Sequence, residues 1–126
     1  MIQAFPPYSE VVSANTKSAT LHIESPEVVD ILRLDQIHPW VSGNKWYKLK
    51  YNLETASMLG HQRLLSCGGP HSNHLHALAC AGKVFGFSTT AFVRGYSHLP
   101  LTETLRECEE MGMALVFVDK KTYLNR

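Results

Sequence analysis

The sequence predicts an α/β fold: an N-terminal β-hairpin, then a βαβαβ unit whose strands pair in parallel between flanking helices. Three observations carry this expectation. Between Arg63 and Asp119, short apolar runs alternate with stretches of helical period in the order strand, helix, strand, helix, strand. That order requires crossover connections, which join parallel strands. Nearer the N-terminus, two β-rich runs flank Ser25-Pro26-Glu27, the pattern of a hairpin.

The elements follow in chain order. Residues 1–17 are polar, carry Pro6-Pro7 and read as an extended arm. The hairpin strands are expected over Ala19–Glu24 and Val28–Leu34. His38 to Asn44 contains Pro39 and Gly43 and reads as a loop. Lys45 to Leu59 places Trp46, Leu49, Leu53 and Ala56 at helical spacing, with Gly60 as its stop. A strand over Arg63–Cys67 leads through the turn Gly68-Gly69-Pro70-His71 into a helix over Ser72–Phe85, with Leu75, Leu78, Ala79 and Gly82 on one face. Phe87–Arg94 is rich in β-branched and aromatic residues and reads as a strand. A helix over Leu101–Met111, ending at Gly112, and a strand over Met113–Asp119 follow. The alternation then calls for a further helix. Two regions result: residues 1–42, arm and hairpin, and residues 43–126, a partial α/β domain.

Composition narrows the function classes. The hydrophobic share of 44% and charged share of 18% belong to a soluble globular chain. A net charge of +1 gives no electrostatic case for nucleic acid or an anionic membrane, and no apolar run is long enough to span a bilayer. Met1 to Glu10 lacks the basic and apolar regions of a secretory signal. Three scattered cysteines, Cys67, Cys80 and Cys108, suit reduced thiols and a cytoplasmic location.

Two segments carry candidate chemistry. The first is Ser42-Gly43-Asn44-Lys45-Trp46-Tyr47-Lys48-Leu49. Lys45 falls in the first turn of its helix, where the positive end of the dipole and the like charges of Lys48 and Lys50 disfavour an ammonium ion. A neutral amine is the form that attacks an aldehyde to give a Schiff base. Asn44 is placed as a cap. Ordinary solvated lysines on an amphipathic helix explain the same pattern. The second segment is Ser66-Cys67-Gly68-Gly69-Pro70-His71-Ser72-Asn73-His74, between a strand and a helix. Ligands of open parallel sheets bind at the carboxyl ends of strands, and a helix start offers N–H groups to a carboxylate or phosphate. A tight turn with Ser72 as an ordinary cap accounts for part of it. Cys67, His71 and His74 invite a metal reading, but no recognised ligand spacing is present.

Taken together, Ile37-His38-Pro39, Ser42-Gly43-Asn44-Lys45, Lys48-Leu49, the Gly68-Gly69 turn and Ser72-Asn73-His74 resemble one family. It is the pyridoxal-phosphate (PLP) dependent 1-aminocyclopropane-1-carboxylate (ACC) deaminase and D-cysteine desulfhydrase family, of the tryptophan-synthase-β type fold. The resemblance runs from about Leu32 to Asp119. It implies PLP as cofactor and a small amino acid as substrate, with a homo-oligomer in the full-length form. Lys45 would hold the cofactor's aldehyde, Asn44 would stand beside it, and Asn73 would bond the phenolic oxygen. Ser72, Asn73 and His74 would bind the substrate carboxylate, and Ser72 would also handle the substrate. Lys45 and Asn73 would therefore face one pocket. Family members are well over twice this length, and their Gly-rich phosphate loop has no counterpart in these 126 residues. The expectation is the N-terminal part of such an enzyme, inactive alone. The alternatives are a non-catalytic remnant and a metal-binding module on Cys67, His71 and His74.

Overall fold

The computed structural model describes residues 20–23, 29–32 and 44–125, with side chains given from Asn44 onward except that of Trp46. The expected arm over residues 1–17, the Ser25-Pro26-Glu27 turn, the loop before Asn44 and the segments Ile37-His38-Pro39 and Ser42-Gly43 lie outside the described residues. The chain forms two compact units, Met1–Asn52 and Leu53–Arg126.

In the first unit, β1 (Thr20–Ile23) and β2 (Val29–Leu32) pair antiparallel, with Thr20 opposite Leu32 and Ile23 opposite Val29. The hairpin is as expected, with shorter strands. Helix α1 (Asn44–Met58) begins in this unit and ends in the second. It starts at Asn44, so Asn44 is its first helical residue and not the residue before it. Leu49, Leu53 and Ala56, spaced for one helix face, are buried. The helix closes with Gly60 N donating to Ser57 O at 3.0 Å and His61 N to Ala56 O at 2.8 Å, which satisfies carbonyls left over at a helix end.

The second unit holds a sheet of β3 (Arg63–Gly68), β4 (Ser88–Arg94) and β5 (Ala114–Val118), in the order β3-β4-β5. Both pairings are parallel, as the alternating pattern predicts. Helices α2 (Asn73–Phe85) and α3 (Glu103–Glu110) make the crossovers. Strand and helix ends differ from expectation by one or two residues. Phe87 N bonds Gly82 O at 3.0 Å and Met113 N bonds Cys108 O at 3.0 Å, so both residues belong to helix ends and not to strands.

Register fixes the two faces of this sheet. Thr89, Ala91 and Val93 of β4 are buried, opposite Leu64, Ser66 and Gly68 of β3. The helices cover this face. Leu75, Leu78 and Ala79 of α2 and Leu105 and Cys108 of α3 complete its core. The opposite face carries Leu65 and Phe92, with Val116 opposite Phe92, and all three are exposed.

Helix α4 (Lys120–Leu124) supplies the further helix that the alternation calls for. Asp119 caps it, its Oδ1 accepting from Thr122 N at 2.7 Å. That backbone bond is the chief cause holding the Asp119 carboxyl below its usual value. A carboxyl lowered in the folded state contributes its stability fully above the unfolded pKa of about 3.9, and loses it as pH falls through the folded value. Acidification is therefore expected to fray α4. Protection of the Thr122 and Tyr123 amides, taken relative to the intrinsic exchange rate at each pH, should fall below about pH 4, and Asp119→Asn, which caps without titrating, should flatten that dependence. Equal acid sensitivity in wild type and variant would reject this account of the cap.

Candidate functional site

The carboxyl end of β3 runs directly into the turn that the sequence singles out. Ser72 N donates to Gly69 O at 3.2 Å, which closes the turn, and Ser72 Oγ accepts from Leu75 N at 3.3 Å, which caps α2. The Ser72 backbone is extended, with φ −77° and ψ 107°, the usual conformation for a residue preceding a helix.

The two tandem glycines have different reasons. A Cβ on Gly68 would lie 2.7 Å from Ser72 Oγ and 2.8 Å from Leu75 Cγ, so the capped helix start sits directly against it. Gly68 serves packing. A Cβ on Gly69 would meet nothing nearer than an Arg94 Nη at 3.9 Å, and Gly69 is not among the glycines with positive φ. Neither packing nor backbone conformation calls for a glycine there. The position beside Gly69 is open.

A second helix start is tied to this turn. The Thr102 hydroxyl donates to the Pro70 carbonyl and accepts from Leu105 N, so the cap of α3 is fastened to the loop after β3. Asn73, the first residue of α2, is exposed, and its side chain makes no hydrogen bond among the described residues. Its amide is available to a ligand. His74 Nε2 lies 2.8 Å from Ser66 Oγ, linking α2 back to β3.

Lys45 is the second residue of α1 and is half-buried; Asn44 beside it is exposed. Both stand in the first unit, whereas Ser72, Asn73 and His74 stand in the second. Lys48, one turn on, shares the Lys45 side of the helix. Lys50 does not: its Nζ lies 4.5 Å from the Tyr51 ring centroid and 5.5 Å from that of Tyr47.

Cys80 and His76 are engaged with each other and with α3. Cys80 Sγ lies 3.7 Å from His76 Nδ1 and 3.2 Å from Met111 Sδ, and His76 Nε2 pairs with Glu107 at 2.8 Å. Burial, aided by Glu107, pushes the Cys80 thiol up, and burial pushes Cys108 up to about 11. Thiols so raised are poor nucleophiles. No group of three or more His, Cys, Asp or Glu among the described residues is placed to hold a metal, so Cys67, His71 and His74 do not form a ligand set.

Two features were missed in the sequence. Arg94, at the end of β4, reaches the Gly69 turn from the neighbouring strand. On the open face of the sheet, a groove of about 450 Å³ lies between the strands and α4, lined by Leu65, Cys67, Phe92, Val118 and Tyr123. Neither has a local signal, because each depends on strand order.

No protein-family model matches the sequence, and no curated protein matches it. Among solved structures the chain is similar to one described as an ACC deaminase homologue, with a TM-score of 0.63 and 24% sequence identity. The match covers 85% of this chain and 30% of that one, so the chain spans less than a third of the neighbour's length. At this identity the likeness establishes the fold: the α/β unit is a partial version of the neighbour's.

Proposed function

We propose that this chain is the N-terminal part of a PLP-dependent enzyme that deaminates a small amino acid, of the D-cysteine desulfhydrase or ACC deaminase type. The observation that carries the reading is the turn at the end of β3. There the exposed Asn73 side chain and the Ser72-capped start of α2 stand at the carboxyl end of a parallel strand, where ligands of open sheets bind. The fold likeness to a structure described as an ACC deaminase homologue supports it.

In this reading the Lys45 amine holds the cofactor's aldehyde, with Asn44 beside it, and once displaced by substrate it moves a proton at the substrate α-carbon. The Asn73 amide donates to the cofactor's phenolic oxygen. The segment Ser72, Asn73 and His74 at the start of α2 binds the substrate carboxylate, and the Ser72 hydroxyl handles the substrate. Bound PLP would supply an electron sink for the bond being broken. Residues 43–126 form the partial cofactor domain, and the full-length protein is a cytoplasmic homo-oligomer. None of the described helices is long and apolar enough to cross a membrane.

The test is chemical trapping in the full-length protein: add PLP, reduce with borohydride, and map the modified lysine. Labelling is expected at Lys45, to vanish in Lys45→Ala and to persist in Lys48→Ala. A reducible adduct retained in Lys45→Ala rejects the assignment.

A further inference from the structure

The seam between α2 and α3 gathers side chains that the roles above do not use. His76 and Cys80 stand one turn apart on α2, and Glu107 and Met111 stand one turn apart at the end of α3. They meet across the seam in two rungs. His76 Nε2 lies 2.8 Å from a Glu107 carboxylate oxygen, and Cys80 Sγ lies 3.2 Å from Met111 Sδ. Along α2, Cys80 Sγ is 3.7 Å from His76 Nδ1. A thiol, a thioether and an imidazole nitrogen therefore converge. The Glu107 carboxylate accepts the Nε2 proton, so the neutral ring keeps its lone pair on Nδ1, the nitrogen that faces the thiol. Bonds of about 2.0 Å to nitrogen and about 2.3 Å to sulfur, with those atoms 3.7 Å apart, make an angle of about 120° at an ion between them. Met111 closes the third side, and its flexible side chain has to move outward by under about 1 Å to match that angle. The thiol is enclosed and the approach is one-sided: Cys80 is 1% exposed, whereas the His76 side chain is 35% exposed. Glu107 stands behind the ring, so no three of His, Cys, Asp and Glu ligate together among the described residues, and the third donor is the thioether. Two sulfurs and one imidazole suit a soft ion, Cu(I) above all.

We propose that His76, Cys80 and Met111 bind one Cu(I) ion, with Glu107 a positioning residue that holds the His76 ring. The ion forms a bond to Cys80 Sγ as the thiol proton leaves to solvent, and takes lone pairs from His76 Nδ1 and Met111 Sδ. No electron is transferred. The site stands on the α2–α3 seam and does not rest on the PLP reading. An ion held there joins the two helices and stabilises the folded chain.

The experiment titrates the 126-residue chain with Cu(I), without oxygen, against a colorimetric Cu(I) chelator. Cys67→Ser is the parent protein, because Cys67 is the most accessible of the three thiols. One ion per chain is expected, with a rise in Tm. X-ray absorption at the copper edge should show two sulfur neighbours and one nitrogen. Met111→Leu, which conserves volume, should weaken binding about tenfold and remove one sulfur from the spectrum. Glu107→Ala should weaken binding about tenfold while all three donors stay in the spectrum. Cys80→Ser should abolish binding, and Met111→Leu carries the test if that variant fails to fold. Affinity unchanged in Met111→Leu overturns the proposal. So does a spectrum of sulfur neighbours alone, or binding that is lost in Cys108→Ala but kept in Cys80→Ser, since either places the ion on other donors.

Discussion

Gly82→Ala is expected to destabilise the chain by about 2 kcal/mol, and Gly82→Val to leave it unfolded at 37 °C. Gly82 is buried in α2, where the helix crosses β4. A Cβ there would lie 2.4 Å from Thr89 Cγ2 and 2.9 Å from the Phe87 carbonyl oxygen. Two effects oppose each other. Alanine is favoured over glycine in a helix interior by about 1 kcal/mol. Against this, the contact with backbone oxygen cannot be relieved by a rotamer change, and overpacking of this kind costs about 1–3 kcal/mol or more. The steric cost wins because Phe87 N is itself bonded to Gly82 O, which holds the helix end against the residue that leads directly into β4. Urea denaturation checks it through the midpoint at constant slope. A Gly82→Ala midpoint equal to or above wild type would mean that α2 can slide away from β4 freely.

That prediction shows which parts of the molecule can be read in the sequence. Leu75, Leu78, Ala79 and Gly82 recur at helical spacing, and the structure buries all four. Burial along β4 alternates from Thr89 to Arg94, as the period of a strand requires, but Ala91, Phe92 and Val93 are all apolar, so the residues mark the strand without marking its buried face. These are local signals, and the parallel order follows from them because a crossover helix leaves no other simple connection. The site is less legible. Ser72 as a cap follows from residue type, but the return of the His74 ring to Ser66 depends on how tightly the turn at Gly68 packs α2 onto β3. Arg94 reaches Gly69 only because β4 lies beside β3, a neighbourhood that periodicity does not specify. The same reason hides the purpose of the second glycine. Gly68 and Gly69 look alike in the sequence, yet only Gly68 is required by its neighbours.

The 126-residue chain alone is expected to show no turnover of D-cysteine or ACC, to bind PLP weakly, and to self-associate. The amine–aldehyde bond to a cofactor is reversible, so retention depends on gripping the phosphate with several backbone N–H groups. The resemblance places that grip in a Gly-rich loop, and no such loop occurs among these residues. Self-association follows from the open sheet face. Parallel sheets are normally covered on both faces. Here one face lies under α2 and α3, while on the other Leu65 is 64% exposed, Val116 41% and Phe92 38%. Exposed apolar side chains clustered on a sheet favour association over solvation. Sedimentation velocity should therefore show species larger than a monomer, and Leu65→Lys with Val116→Glu should shift them towards monomer. Monomeric wild-type chain at high concentration would mean that the face is too small or too polar at its rim to drive assembly. For the catalytic half, PLP is added, the chain is reduced with borohydride, and D-cysteine turnover is assayed in parallel. Stoichiometric labelling at Lys45 together with turnover would show that Lys45 and the Ser72–His74 helix start suffice without a separate phosphate loop, and would make the short chain an enzyme in its own right.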